Sequence, residues 1–79
     1  MISTLSYNLA HGPTTVSLRI QNNGERYQWG ETATYRSEGW EQRRYDFGKP
    51  CKTLKGAERG MIARADWRKS CGFTEVESV

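Results

Sequence analysis

The chain has one histidine, two cysteines and two prolines in 79 residues. Each scarcity closes off a class of function. Nucleophilic catalysis needs a Ser, Cys or Thr beside a base that a third group orients. The one histidine, His11, falls in the turn "AHGP" and reads as solvent-exposed. Two cysteines and one histidine at wide spacing match no zinc pattern, so no metal is expected. "LKGAERG" carries two glycines but no GxxxxGK phosphate loop, and no cofactor is expected. Asp46, Glu58 and Asp66 sit among Arg and Lys and read as ion-pair partners, not as paired acid–base carboxylates. The expected protein is not an enzyme.

Long apolar runs are also missing. No stretch approaches the ~20 residues of a membrane span, and "MISTLSYNLA" lacks the basic start of a signal peptide. A cytoplasmic protein with reduced thiols is expected. Cys51 and Cys71 flank an expected helix and would lie roughly 30 Å apart, too far for a disulfide. Hydrophobic residues make up 35% of the chain, against the usual ~45–50%. One domain over residues 1–79 is expected, with a thin core in which Trp and Tyr area replaces missing aliphatics.

Basic charge is plentiful and unevenly placed. Residues 40–73 hold nine of the twelve Lys and Arg residues, two of the three Trp and both Cys. Residues 1–39 are balanced, with three basic and three acidic side chains. A basic stretch of this kind attracts phosphate backbones, anionic membranes or acidic protein surfaces, unless it is only a solvated helix face.

Periodicity supplies the elements. "TTVSLRIQN" alternates, with Val16, Leu18 and Ile20 on one face and Arg19 on the other. Asn23-Gly24 signals a type I′ hairpin, in which both central residues take positive φ. The return strand, about 25–36, aligns Tyr27, Trp29, Ala33 and Tyr35. Glu31 falls on that apolar parity, and Gly30 beside it predicts a bulge that turns the carboxylate away from the core. "ISTLSYNL" is a first strand, with Leu5, Tyr7 and Leu9 on one face. "WEQRRYDF" at 40–47 is a fourth, with Tyr45 and Phe47 inward and Trp40, Gln42 and Arg44 outward. Thr53 is the expected N-cap of a helix over 54–71 whose stripe is Leu54, Ala57, Met61, Ile62 and Ala65. Gly72 then ends the helix in the left-handed conformation, with Phe73 as its apolar contact. "TEVESV" is expected to add a short fifth strand through Val76. The fold class is α+β: a four- or five-stranded antiparallel meander with one helix packed on one face.

On the helix, Gly56, Gly60, Ala63 and Trp67 fall close together. They are either a flat platform for a partner or the place where Trp67 folds against Gly60. The candidate binding residues are Arg19, Arg26, Arg36, Trp40, Arg43 and Arg44 on the sheet and Lys55, Arg59 and Trp67 on the helix. Arginine forks suit carboxylate and phosphate, and Trp and Arg are common interface anchors.

Two resemblances follow. From Tyr27 to Lys69 the chain has a strand, a turn at "SEG", a strand ending in "YDF", then Thr53-x-x-x-Ala57 and a helix with a Trp. That order resembles the arm-binding domains of phage integrases and implies a sheet laid on DNA. In size, layout and lack of an active site the chain also resembles the small inhibitors encoded by phages and mobile elements, such as anti-CRISPR proteins. Some of these dock on guide-RNA surveillance complexes and block target DNA. An integrase arm domain would be expected to lead into a catalytic domain, and none is expected after Val79. The inhibitor, binding a protein complex or nucleic acid within it, is therefore the expected function, and the DNA-binding module is the alternative.

Overall fold

The computed structural model describes residues 5–77. It has the α+β layout, with strands β1 (Tyr7–His11), β2 (Thr14–Asn23), β3 (Arg26–Ser37) and β4 (Trp40–Phe47), helix α1 (Leu54–Ser70) and strand β5 (Thr74–Glu75). The sheet is antiparallel in the order β4-β3-β2-β1-β5. The part of the first strand expected before Leu5 lies outside the described residues.

Cross-strand register assigns the faces, because directly opposed residues share one. Leu9 opposes Val16, and Val16 opposes Ala33. Leu18 opposes Tyr7 on one side and Glu31 on the other. Leu9, Val16, Leu18 and Ala33 form one buried cluster with Met61 and Ala65 of α1 and Phe73 beyond it. Ile62, expected in the helical stripe, is 39% exposed, while Arg68 is 8% exposed and takes a place in the buried row. Ala57, Met61, Ala65 and Arg68 lie at i, i+4, i+8 and i+11, whereas Ile62 stands about 100° round from Met61.

Both helix ends follow from sequence. The Thr53 hydroxyl accepts from the Gly56 N–H at 3.1 Å. At the other end the Phe73 N–H donates to the Arg68 carbonyl and the Gly72 N–H to that of Lys69, with Gly72 at φ 102°. This paired closure lets Phe73 turn back into the core and hands the chain to β5.

Two local expectations are corrected. The β2–β3 turn is Gly24-Glu25, closed by Asn23 opposite Arg26, and only Gly24 (φ 72°) has positive φ. Glycine at the first central position fits a type II′ connection. No bulge occurs at Gly30, since pairing runs unbroken from Leu18–Glu31 through Arg19–Gly30 to Ile20–Trp29. Glu31 therefore keeps core parity and is 3% exposed.

The helical glycines meet Trp29 and Cys51, not Trp67. A Cβ on Gly60 would stand 2.7 Å from the Trp29 Nε1, and one on Gly48 2.0 Å from the same atom. The Trp29 ring thus lies between two glycines, one in the linker and one in the helix. The Gly48 N–H also donates to the Trp29 carbonyl at 3.0 Å, holding the linker against β3. Gly48→Ala is expected to destabilise by about 1–3 kcal/mol through overpacking. Gly60→Ala should also destabilise, less strongly, because alanine returns about 1 kcal/mol of helix propensity. Urea midpoints by circular dichroism test both. A raised midpoint for either variant would show that the glycines do not hold the ring.

Candidate functional site

The register collects one set of side chains opposite the core parity. Arg19 faces Gly30, and Gly30 faces Phe47; Ser17 faces Thr32, and Thr32 faces Tyr45. Arg43 opposes Thr34, Glu41 opposes Arg36, and Arg26 opposes Asn23. Arg19, Arg26, Arg36 and Arg43 consequently share one face with Gln21, Gln28, Tyr45 and Phe47. Gly30 leaves a gap in its centre. The Phe47 ring lies over it, 3.2 Å from where a Cβ would stand. A shallow depression of about 190 Å³ results, lined by Ser17, Arg19, Gln21, Thr32, Tyr45 and Phe47 among others.

This placement corrects the expected facing of β4. Tyr45 and Phe47 are 62% and 54% exposed and stand beside Arg19. Trp40, Gln42 and Arg44 are on the core parity, opposite Ser37, Tyr35 and Ala33. The physical reason is that β4 is an edge strand exposed along its whole length. Its apolar side chains are free of the burial that fixes faces elsewhere. A usable signal was the two-residue loop Glu38-Gly39, because closing it pairs Ser37 with Trp40 and dictates the facing of the whole strand.

The charges on the Arg19 face are partly self-neutralised. Glu41 accepts from Arg36 at 3.3 Å and from Arg43 at 3.1 Å, with all three side chains at least 40% exposed. Such exposed pairs are worth about 0–1 kcal/mol and give way readily to a stronger anion. Arg19 and Arg26 have no acidic partner among the described residues. Gln28 donates its amide to the Gly48 carbonyl at 2.7 Å, which leaves Gln21 as the freer amide of the two.

On the core parity Glu31, Asp46 and the helix arginines spend their charges on one another, and Arg44 does not join them. Glu31 accepts from Nε and Nη2 of both Arg64 and Arg68 at 2.8–3.0 Å. Arg64 also reaches Asp46 at 3.1 Å. Both guanidiniums lie over the Trp67 ring, at 4.7 Å and 4.9 Å from its centroid. Trp67 is 49% exposed, so it is neither buried on Gly60 nor beside a bare glycine platform. Trp40, Gln42, Arg44 and Tyr35 line a separate open depression of about 320 Å³. Lys55 and Arg59 are exposed on α1 and line none of these depressions. The nine candidate residues are therefore split among three surfaces, and Tyr45 and Phe47 join the Arg19 group as additions.

Among the described residues no three His, Cys, Asp or Glu side chains gather, and no helix is long and apolar enough to cross a membrane. Cys51 and Cys71 are free thiols. Comparison with protein-family models, with curated proteins and with solved structures finds no match.

Burial alone would raise the Glu31 pKa, but the bonds and charges of Arg64 and Arg68 outweigh it and hold it at about 2 instead of 4.5. The folded value lies below the unfolded one. The stabilisation is therefore complete above about pH 4.5 and is lost as pH falls towards 2. Glu31→Gln should cost about 3–5 kcal/mol at neutral pH, because it leaves two arginines without their shared counter-charge. It should also flatten the acid limb between pH 4.5 and 2. Urea titrations across pH check both, and an unchanged acid limb would remove Glu31 from this role.

Proposed function

We propose that the protein is a non-catalytic binding module that grips nucleic acid, unpaired strands foremost, on the Arg19 face of its sheet. The observation that carries this reading is the exposure of Tyr45 and Phe47 on the same surface as Arg19, Arg26, Arg36 and Arg43. Arginine forks bind phosphate oxygens with two parallel donors. Exposed rings offer stacking worth about 1–3 kcal/mol per base, whatever the sequence. The depression above Gly30 gives a flat base room between the rings and Arg19. The Gln21 amide sits at its rim and can donate to a base edge or a phosphate. Phosphates displace Glu41 from Arg36 and Arg43, restoring both cations to the surface.

In this reading α1 covers the other face of the sheet. Met61 and Ala65 share a buried cluster with Leu9, Val16, Leu18 and Ala33, which supports that placement. Covering one face leaves the Arg19 face open.

A second reading has its own support. Trp40 and Trp67 are 54% and 49% exposed, with Arg44 and Arg64 near them on the core-parity side. Exposed Trp and Arg are the residues that anchor protein interfaces. An inhibitor of the anti-CRISPR type, docking there on a host nuclease complex, would use that surface and leave the Arg19 face for the complex's own nucleic acid.

Fluorescence anisotropy with labelled single-stranded and duplex oligonucleotides, titrated with salt, tests the first reading. Single strands should bind more tightly than duplex. Arg19→Ala should weaken binding and reduce the log–log salt slope by about 0.7. Phe47→Ala should cost about 1–3 kcal/mol with little change in slope. Arg59→Ala, on the helix, should leave affinity near that of the parent chain. No binding at low salt, or an Arg59→Ala defect as large as that of Arg19→Ala, rejects this face as the site.

A further inference from the structure

We propose that the exposed edge of β4 pairs antiparallel with β4 of a second copy of this chain, joining two sheets into one. This goes beyond the binding reading and does not rest on it. The sheet has two edges. One is β5, with two residues; the other is β4, with eight, all exposed. Natural edges are usually blunted by proline, by charged side chains, lysine especially, by a bulge or by a covering element. The charges on β4 are of both signs, Glu41 and Asp46 with Arg43 and Arg44, and so can pair with a complementary edge as well as guard against others. β4 contains neither proline nor lysine, and its register with β3 is unbroken from Gly30–Phe47 to Ser37–Trp40.

The backbone shows which groups are free. The Gly48 N–H donates to the Trp29 carbonyl. Alternation from that pair turns the backbone groups of Asp46, Arg44, Gln42 and Trp40 towards β3. Those of Glu41, Arg43, Tyr45 and Phe47 therefore point off the edge. The Phe47 N–H is capped by its own neighbour, the Asp46 Oδ1, at 2.9 Å. The donors left for a partner strand are Glu41, Arg43 and Tyr45.

A two-fold axis normal to the sheet keeps the faces aligned, so residues of like parity must oppose each other. Centring the axis on Arg43 or on Arg44 sets arginine against its own copy. Centring it on Tyr45 sets Arg43 against Phe47, whose N–H is already taken. Centring it on Gln42 sets Glu41 opposite Arg43 of the other copy, and Trp40 opposite Arg44, each twice by symmetry. From Trp40 to Arg44 that register is complementary in charge. It gives Arg44, which has no acidic partner among the described residues, a ring to stack on. It also engages all three free donors, with Tyr45 reaching Gly39 of the copy.

Sedimentation velocity across the micromolar range at low salt tests the proposal. The parent chain should shift with concentration from one 9.1 kDa chain to the mass of two. Glu41→Arg should weaken the dimer on the order of tenfold, because each pair becomes two like charges. The double variant Glu41→Arg/Arg43→Glu should restore it. Arg43→Pro, which removes an edge N–H without touching the β3 ladder, should stay folded by circular dichroism and monomeric. A parent chain monomeric at every concentration overturns the proposal, as does a dimer indifferent to Glu41→Arg. Failure of the double variant to recover the dimer overturns the register, and with it the proposal.

Discussion

One buried carboxylate organises this protein. Glu31 sits in the middle of β3 at a position that the strand pattern gives to the core, and two guanidiniums from the helix close on it. Breaking a buried charged pair is far more costly than forming it is favourable, because the survivor keeps its desolvation penalty. The contact therefore fixes where the helix sits more than it adds raw stability. It sets the helix at the distance and rotation where Arg64 and Arg68 both reach one carboxylate. Once that is set, Met61 and Ala65 meet the sheet's aliphatics, and Trp67 is left on the surface under its two arginines. A chain with only 35% hydrophobic residues has little other means of choosing one packing over a slightly rotated one.

The network also explains how the charge is distributed. Much of the positive excess in residues 40–73 looks from sequence like one binding surface. Arg64 and Arg68 are instead structural, and Arg44 stands apart on the core-parity side. The arginines that remain together come largely from β2 and β3, the segment whose net charge is zero. What gives them a common direction is the pleat. Local charge density along the chain is thus a poor guide to the charge presented on a face.

The elements and the faces of β1, β2 and β3 are legible in the sequence because burial enforces their alternation. The helix caps are legible because Thr53 and Gly72 do chemistry that few other residues do. The facing of β4 is not legible from its aromatics, since an edge strand with every residue exposed has no buried side to reveal. The role of Glu31 is hidden in the sequence for a related reason. A charge on core parity invites a local excuse, and a neighbouring glycine supplied one. Arg68 shows the matching anomaly, a cation at i+7 from Met61 in an otherwise apolar row. Two misfits of opposite sign, on two elements that must touch, are better explained by each other than by a separate irregularity in each. Their separation of 37 residues hides the pairing from any reading of short windows. The helical glycines are similarly visible as a small-residue platform, but the ring that Gly60 meets, Trp29, comes from β3 and not from the helix.

The three tryptophans occupy three unlike environments, and this makes the molecule its own optical probe. The Trp29 indole is walled by Gly48 and Gly60 and is half-buried, whereas the other two are exposed, so its emission should lie to the blue of theirs and shift red as the native packing is lost. Trp67 lies beneath two guanidiniums, and Trp40 on a bare rim. Single-tryptophan versions of the chain would therefore separate loss of packing, helix displacement and edge contact into three distinct colours.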